Sequence, residues 1–484
     1  MKLKTAVKYM NAQASNLNSA VLQTEVQSFS IDSRETRAGE VFFALSQPDY
    51  KNNCFNGEFA DSHQFIAEAF EKGVVACVAR PDKFEEHKAV LEQFADRLIF
   101  VDDAILALQN LARGVYLEWN KSVVAITGSA GKTTAKELTA HVLQYSGRKI
   151  LRNIKNYNNG LGHPLTVLNL AKDKSFDAAV LEMGMSSPSN EIARLCRITP
   201  PDVAVELNVL PVHVEHLGSI ENVAKAKAEL IEGMKPRGTA VLNADDARVL
   251  AMRELHRGDT ITFGIENKAD VRASEIEMKR FGETRFILNV PNGKAEVFFR
   301  LSGRHNVSNA LAAAAVGYKF GMTARRIADA LSSIEPPAQR GEVLHFQENF
   351  TVINDSYNSN PPALLEMVET LVDGGKTAQR LIVVAGEMLE LGENEKEIHV
   401  ETGAKLASSG IDFLIGIRGL AKDLVEGAKA NNLRETEFFN SSDEAGEFLV
   451  NQIKMGDLVL VKGSRGVKTE KVIEKLTEKY RLEQ

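Results

Sequence analysis

The chain has 484 residues, which is too long for one hydrophobic core, so we expect about two to four domains. Its apolar and charged fractions, 44% and 25%, are typical of a soluble globular protein, and a formal net charge of −7 argues against nucleic acid or an anionic membrane as the main partner. The three cysteines, Cys54, Cys77 and Cys196, are scattered, so neither a disulfide framework nor a zinc site is expected. The first residues lack the apolar core of a signal peptide and no apolar run reaches membrane-span length, so we expect a cytoplasmic protein without membrane insertion.

Residues 1–103 are predicted to form a small α/β unit. Short apolar runs predict strands at 41–45, 74–78 and 98–101, and a short helix is predicted at 65–71. The stretch 47–62 is rich in Asn, Asp, Gly and Pro, which predicts a long loop. A helical segment at 104–119 then leads into the next unit.

Residues 104–335 are predicted to form a larger unit with a mostly parallel sheet. Helical patterns alternate with predicted strands at 122–127, 178–181, 203–205 and 240–242, and this βαβ alternation favours parallel pairing. Two later segments of alternating polarity flank Asn292 and Gly293, which predicts a β-hairpin and an antiparallel side sheet.

Pro336 and Pro337 mark the boundary of a third unit, residues 336–484. Its predicted strands, which alternate with helices, lie at 351–353, 381–385, 413–415 and 458–461. This pattern predicts a Rossmann-like open sheet. No GxGxxG pattern follows its first strand, so we do not predict a dinucleotide site there.

Residues 127–134, Thr-Gly-Ser-Ala-Gly-Lys-Thr-Thr, are the most informative stretch of the chain. They follow an apolar strand and open a helix, so backbone N–H groups and the positive end of the helix would surround a phosphate. Lys132 would reach the terminal phosphates, and the hydroxyl of Thr133 would bind Mg²⁺. The loop is a short variant of the P-loop pattern, and the alternative is an ordinary turn between strand and helix. We predict ATP binding, with the rest of the cradle formed by Gly128, Ser129, Ala130, Gly131 and Thr134.

Polar residues also follow two other predicted strands of this unit. Glu182 comes directly after the strand at 178–181, where a carboxylate beside the phosphate loop suits Mg²⁺. The alternative is a surface glutamate at a strand end. His213 and His216 follow the strand at 203–205, but loop histidines at this spacing are weak evidence of a metal site by themselves.

Lys227 lies on the apolar side of a predicted helix. It is four residues after Val223 and three before Leu230, whereas Lys225 falls on the opposite face. A lysine that points inward must be paired, neutralised or chemically changed, because an unpaired buried ammonium is costly. The alternative is a lysine whose stem packs on the seam while its ammonium reaches water.

Taken together, the ordered motifs of the chain resemble the Mur ligase family, and more closely its branch that adds D-alanyl-D-alanine. The motifs lie at 32–34, 127–134, 158–164, 181–184, 213–215, 226–229, 303–306, 309–311, 355–361, 386–392 and 461–465. Each is weak alone, but their joint order over nearly the whole chain is specific. The resemblance implies an α/β fold of three domains: a small N-terminal domain that binds the UDP substrate, a central P-loop ATPase domain with an antiparallel side sheet, and a C-terminal Rossmann-like domain.

The resemblance also implies roles for individual residues. Lys132 and Arg340 would hold the ATP phosphates, and Thr133 and Glu182 would bind one Mg²⁺. Lys227 would be carbamylated by CO₂ and would help His213 to hold a second metal ion. The remaining implied contacts are Asn306, with His305 and Asn309, at the adenine; Asp355 and Tyr357 at the ribose; Asn358 at the dipeptide; Asn159 at the substrate; and Ser33 and Arg34 at the UDP end.

The implied activity is an ATP-dependent ligation in peptidoglycan precursor synthesis. The terminal carboxylate of UDP-N-acetylmuramoyl-tripeptide would take the γ-phosphoryl group of ATP, and the amine of D-alanyl-D-alanine would then displace phosphate. We expect a monomer that binds these two substrates, ATP and two Mg²⁺ ions. Residues 47–64 depart from the family pattern and keep only 61–65 as a partial match.

Three alternatives differ from this interpretation in chemistry. The first is the sibling branch that adds a single amino acid. The second is an ATP-binding regulatory homologue that has lost ligation, which is disfavoured because five residues are intact: Lys132, Thr133, Glu182, His213 and Lys227. The third is a small-molecule kinase with a P-loop, which would leave the long third unit unexplained.

Overall fold

The computed structural model of the chain describes residues 1–55, 57–154, 157–185, 190–211, 218–335, 339–389, 391–392 and 394–483, except for the side chains of residues 279 and 280. Within these ranges the strands form three sheets, of four, nine and six strands, so the predicted α/β class is confirmed. The predicted boundaries fall between consecutive sheets and stay predictions. No helix in the described ranges has the length and apolar character needed to cross a membrane.

The first sheet is parallel throughout, in the order β1-β2-β3-β4. Its strands are β1 Ser28–Ser30, β2 Glu40–Phe43, β3 Ala76–Ala79 and β4 Leu98–Phe100. The helices around it are Leu3–Met10, Ser19–Gln23, Gln47–Asn52, Ile66–Glu71, Pro81–Glu86 and Lys88–Leu91, with 3₁₀ turns at Ser62–Phe65 and Glu92–Arg97.

The helix Gln47–Asn52 corrects our prediction of a long loop at 47–62. Pro48 occupies its first turn, and the Asp49 carboxylate accepts hydrogen bonds from the backbone N–H and the hydroxyl of Ser46 at 2.8 and 2.6 Å. Ser, Pro and Asp are typical of loops, but they are also the residues that begin helices. Composition alone therefore misassigned a helix start.

The central sheet has the strand order β13-β12-β11-β10-β9-β8-β5-β7-β6. Its strands are β5 Ser122–Thr127, β6 Ile150–Arg152, β7 Ala178–Glu182, β8 Val203–Glu206, β9 Thr239–Asn243, β10 Asp259–Gly264, β11 Val271–Arg280, β12 Glu283–Val290 and β13 Gly293–Phe299. Strands β5 to β11 pair in parallel and β11 to β13 antiparallel, which confirms the predicted side sheet. Val290 pairs with Gly293, so the hairpin turn lies one residue earlier than predicted.

Helices cover both faces of this sheet. They are Ala104–Trp119, Lys132–Tyr145, Gly162–Val167, Asn169–Lys172, Glu191–Ile198, Ile220–Glu232, Ala247–Ala251, Arg304–Lys319 and Ala324–Ser332, with a 3₁₀ turn at Met252–Leu255. The helix Ala104–Trp119 belongs to a hydrophobic cluster that also contains Phe43 of the first sheet and Val123 of the central sheet. The first and central units therefore share one core.

The third sheet has the order β14-β15-β19-β16-β17-β18, in which only β14 is antiparallel. Its strands are β14 Glu342–His345, β15 Thr351–Asp355, β16 Arg380–Gly386, β17 Phe413–Ile417, β18 Glu435–Phe439 and β19 Asp457–Lys462, and its helices are Pro361–Gly374, Glu395–Ala407, Ala421–Ala430, Ser442–Gln452 and Glu470–Lys479. The edge strands β14 and β18 escaped prediction because neither is fully buried and neither reads as a continuous apolar run.

Asp49 should stabilise the first unit. Its fully buried carboxylate also accepts from the Ala104 N–H at 3.0 Å and lies 3.4 Å from the Arg80 guanidinium. Asp49→Ala leaves these donors unpaired, so we expect it to lower the free energy of unfolding by about 3 kcal/mol. Urea unfolding followed by the fluorescence of Trp119, the single tryptophan, would measure the loss.

The matched control is Asp82→Ala, which also removes a carboxylate partner of Arg80. The Asp82 side chain is 51% exposed, so this change should cost no more than about 1 kcal/mol. Equal losses in the two variants would contradict the assigned role of Asp49.

Candidate active site

A cavity of about 310 Å³ lies between the strand ends of the central and third sheets. Its walls come from the loop after β5, the end of β7, the helix Arg304–Lys319 and the ends of β15 and β19. The predicted site residues that line it are Ser129, Ala130, Gly131, Lys132, Thr133, Thr134, Glu182, His305, Asn306, Asn309, Arg340, Asp355, Tyr357 and Asn358. The fold thus brings together most of the residues predicted to bind the nucleotide.

Gly131 lets the phosphate loop turn into its helix. The residue has φ of +80°, and the helix begins at the next residue, Lys132. A Cβ atom at Gly131 would lie 2.5 Å from Oδ1 of Asn309, so only glycine allows the loop to pack this closely against the neighbouring helix. The helix N-terminus consequently points into the cavity beside Asn309.

Lys132 lies against its own loop. Its ammonium donates to the carbonyl oxygens of Gly128 and Ser129, at 2.9 and 3.3 Å. Burial among protein atoms lowers the pKa of Lys132, and the carboxylate of Glu182 acts in the opposite direction. Its two hydrogen bonds therefore hold the Lys132 amine at the wall of the cavity.

Glu182 is tied into the site through both carboxylate oxygens. The Thr133 hydroxyl donates to Oε2 at 2.8 Å and the Asn158 amide donates to Oε1 at 2.7 Å. The Asn153 side chain also pairs with the backbone N–H and carbonyl of Glu182, at 2.9 and 3.0 Å. Glu182 is only 3% exposed, so the alternative of a surface glutamate is wrong.

Arg340 crosses from the third unit to the phosphate loop. Its Nη2 donates to the hydroxyl of Thr133 at 3.1 Å, although the two residues are 207 positions apart in the sequence. Its guanidinium carbon lies 4.0 Å from the ring centroid of Tyr357. Lys132 and Arg340, from the central and third units, thus both line one cavity.

Asp355 and Asn358 are held by a lysine that the sequence analysis missed. Lys462, at the end of β19, is 4% exposed and donates to the Asp355 carboxylate at 2.5 Å and to the Asn358 carbonyl oxygen at 3.0 Å. Asp355 and Lys462 also pair directly in the sheet register. Lys462 therefore fixes the third-unit wall of the cavity.

Lys227 is buried, as its place on the helix predicted. It is 2% exposed, whereas Lys225 on the opposite face is exposed. It interacts electrostatically with Glu206, at the end of β8, which is fully buried and has no hydrogen-bond partner at either carboxylate oxygen among the described residues. Burial lowers the pKa of Lys227 and raises that of Glu206, while the attraction between the two opposite charges acts against both shifts.

Like Lys227, four further predicted site residues in the described ranges do not line the cavity. Ser33 and Arg34 lie in the first unit, where the Arg34 guanidinium pairs with Asp32 at 2.6 and 2.9 Å and its side chain is 85% exposed. The Asn159 side-chain oxygen accepts backbone N–H groups of the turn that follows it. The Gly128 carbonyl oxygen accepts a hydrogen bond from the Lys132 amine. Their predicted contacts with substrates stay predictions.

Thr133 and Glu182 suit a magnesium ion bound together with a nucleotide. They offer a hydroxyl and a carboxylate side by side, and Mg²⁺ in proteins commonly takes one or two carboxylates and completes its shell with phosphate and water oxygens. Over the described ranges no three His, Cys, Asp or Glu side chains converge as a metal site, and His213 and His216 lie outside those ranges. The residues present therefore fit one Mg²⁺ ion whose other ligands would be phosphate and water oxygens.

Comparison with known proteins gives the family. Residues 126–317 match the Mur ligase middle domain, and residues 339–465 match the domain described as Mur ligase, glutamate ligase domain. The UDP-N-acetylmuramoyl-tripeptide–D-alanyl-D-alanine ligase of Bacillus subtilis (strain 168) is 32% identical over 465 residues, covering 94% of this chain and 94% of that protein. The chain belongs to the Mur ligase family.

Solved structures of Mur ligases agree with this assignment. The chain is similar to a crystal structure of MurF from Acinetobacter baumannii, with a TM-score of 0.84, 27% identity and coverage of 99% of each chain. It is also similar to the MurF ligase from Thermotoga maritima in complex with ADP, with a TM-score of 0.79, 28% identity and coverage of 96% of this chain and 99% of that one. The predicted family and its three-domain fold class are confirmed.

The sequence analysis of this Mur ligase overlooked two buried ionisable residues that have the same sequence context as Glu182. Lys462 and Glu206 each stand at the end of an apolar strand, as Glu182 does. The rule that polar residues at strand ends line the site would have found both. Asn153 carries no such signal, because its role depends on where β6 and β7 pair.

His163 supports the segment that carries Asn158. It is fully buried, its Nε2 lies 2.8 Å from the Thr199 hydroxyl, and its backbone N–H donates to the Asn159 carbonyl at 2.9 Å. Burial lowers its pKa from 6.5 to about 3, so the folded protein keeps the ring neutral.

This histidine should make folding sensitive to acid. Below pH 6.5 the unfolded chain binds a proton that the folded chain cannot accept until about pH 3, so stability present above pH 6.5 is lost as the pH falls. Between pH 7 and pH 5 His163 should remove about 2 kcal/mol from the free energy of unfolding. Urea unfolding at both pH values gives the drop in the free energy of unfolding from pH 7 to pH 5. We expect this drop to be smaller in His163→Gln than in the wild-type protein by that amount. Equal drops in the two proteins would contradict the assignment.

Proposed function

We propose that this chain is an ATP-dependent ligase that joins D-alanyl-D-alanine to the terminal carboxylate of UDP-N-acetylmuramoyl-tripeptide. The observation that carries the proposal is the single cavity in which a phosphate loop, a magnesium-type pair and an arginine from the third unit meet. The relatives of the chain are ligases with this name, and one similar structure holds ADP. The first unit, with Ser33 and Arg34, would bind the UDP end of the substrate.

The proposed reaction begins with activation of a carboxylate. A carboxylate does not acylate an amine at neutral pH, so its oxygen must first become part of a leaving group. The substrate carboxylate attacks the γ-phosphorus of ATP, the bond to the β-phosphate oxygen breaks, and an acyl phosphate and ADP result. The neutral amine of the dipeptide then attacks the acyl carbon, loses a proton and displaces inorganic phosphate.

The first step brings two anions together, and the cavity supplies the opposing charge. Lys132 and Arg340 both bring their nitrogen atoms to the cavity, and the N-terminus of the helix that begins at Lys132 adds its dipole. The Thr133 hydroxyl links Arg340 to Glu182, so these groups keep fixed positions before the substrates arrive. Pre-positioned charge of this kind lowers the barrier to phosphoryl transfer.

A magnesium ion in this site would be held by Thr133 and Glu182, and when bound it would supply positive charge to the phosphate oxygens. Asn158 and Asn153 orient Glu182 for that purpose through their side-chain amides. Asp355, held by Lys462, and Asn306, whose amide donates to the Ser302 carbonyl at 2.8 Å, would position the nucleoside.

The test measures phosphate release from ATP and Mg²⁺ with UDP-N-acetylmuramoyl-tripeptide, with and without D-alanyl-D-alanine. We expect release to require both substrates and to yield a product heavier by the dipeptide, because the acyl phosphate forms from one substrate and is consumed by the other. Mass spectrometry of the product supplies the check.

Other outcomes would assign the chain differently. Turnover with a single amino acid but not with the dipeptide would indicate the sibling ligase. ATP binding without turnover would indicate the regulatory homologue. A stable phosphorylated product would indicate a kinase.

We also propose that Lys227 is carbamylated and helps to hold a second metal ion, together with His213. The amine must be neutral to react with CO₂, and burial favours the neutral form because it lowers the pKa of Lys227. Burial also raises the pKa of Glu206, and a protonated Glu206 tolerates a neighbouring carbamate. A carbon-13 carbamate resonance after addition of labelled bicarbonate, lost in Lys227→Ala, would test the modification without any assay of activity.

Lys227→Ala should abolish turnover, because the variant lacks the anion that the carbamate would provide. We expect a small added carboxylate such as acetate to restore part of the activity. Lys225→Ala, on the exposed face of the same helix, is the matched control and should keep wild-type turnover. Full activity of Lys227→Ala without acetate would contradict the proposal.

A further inference from the structure

Two guanidinium groups lie over the ring of Tyr357. The guanidinium carbon of Arg340 is 4.0 Å from the ring centroid, and that of Arg465 is 5.9 Å from it. Both distances are within the range of cation–π attraction. We infer that Tyr357 is a positioning residue for Arg340, which holds the guanidinium against the phosphate loop; this inference rests on the proposed ligase function.

Hydrogen bonds around Gln339 fix the relative positions of ring and arginine. The Tyr357 N–H donates to the Gln339 carbonyl oxygen at 3.2 Å, and Arg465 donates to the Gln339 side-chain oxygen at 3.2 Å. Arg465 is itself anchored by Glu470 at 3.2 Å. Because Gln339 directly precedes Arg340, the backbone that carries the arginine is tied to the residue that stacks on it.

Stacking orients Arg340 without using its donors. The guanidinium carbon lies over the ring at 4.0 Å, and this contact uses none of the N–H groups as hydrogen-bond donors to the ring; one of them donates to the Thr133 hydroxyl at 3.1 Å. That hydroxyl donates onward to Glu182 at 2.8 Å. Tyr357 therefore restricts a long side chain to the conformation in which its charge faces the reacting phosphate.

This role differs from the nucleotide contact that the family resemblance implies for Tyr357. A ribose contact would change the KM for ATP whether or not Arg340 is present. A positioning residue would instead change kcat, and its effect would disappear once Arg340 is removed. The two roles can therefore be separated by kinetics on single and double variants.

The experiment compares Tyr357→Phe, Tyr357→Leu, Arg340→Met and the double variant Tyr357→Leu/Arg340→Met in the complete ligase assay. Tyr357→Phe keeps the ring and should retain kcat to within about twofold, whereas Tyr357→Leu should lower kcat about tenfold with the KM for ATP changed less than about twofold. The double variant should have the same kcat as Arg340→Met alone.

Three results would overturn the inference: wild-type kcat in Tyr357→Leu, a higher KM for ATP as its main effect, or a further loss of kcat when Tyr357→Leu is added to Arg340→Met. Circular dichroism and thermal unfolding check that each variant is folded. Should Tyr357→Leu fail to fold, Tyr357→Gln takes its place with the same expectations. Absence of turnover in the wild-type protein would instead refute the proposed function before any variants are compared.

Discussion

The hydrogen bond from Arg340 to the hydroxyl of Thr133 is the contact on which the cavity depends. It joins the third sheet to the phosphate loop of the central sheet, and Thr133 extends the connection to Glu182. A hydroxyl serves here because it accepts from the arginine and donates to the carboxylate at the same time. The Thr133 hydroxyl thus positions both the Arg340 cation and the Glu182 anion. Removing Arg340 or Glu182 would break the chain of hydrogen bonds that fixes the other one.

Two buried ionisable side chains interact with Lys132 of the phosphate loop, and the cost of burying them indicates a function. Glu206 and Lys227 are both nearly inaccessible, and the carboxylate oxygens of Glu206 have no hydrogen-bond partner among the described residues. Apolar side chains of similar size would stabilise such a position at least as well. A fold that retains these two groups near Lys132 is therefore less stable than it could be, and ionisable groups with perturbed pKa values of this kind are typical of functional sites.

The sequence predicted those parts of the molecule that local chemistry determines. The glycines and Lys132 of the phosphate loop follow a continuous apolar strand, and Glu182 directly follows another, so both could be placed from their neighbours alone. The partners of these residues could not be placed, since Asn153 reaches Glu182 only through the pairing of β6 with β7. The helix Gln47–Asn52 was missed for a related reason: Ser, Pro and Asp begin helices and loops alike. The roles of Ser33, Arg34 and Asn159 stay predictions, as does that of His213, which lies outside the described residues.

The three units are held together by two different kinds of contact. The first and central units share a hydrophobic core around the helix Ala104–Trp119. The third unit takes Phe281, from the turn between β11 and β12, into its own core, and meets the central unit again through the polar contact of Arg340. Apolar packing has little directional preference, whereas a hydrogen bond weakens steeply when its angle changes. A rotation of the third unit about Phe281 would therefore break the Arg340 hydrogen bond long before it exposed Phe281 to water. The position of the Arg340 charge in the cavity is consequently the property most sensitive to the position of the third unit.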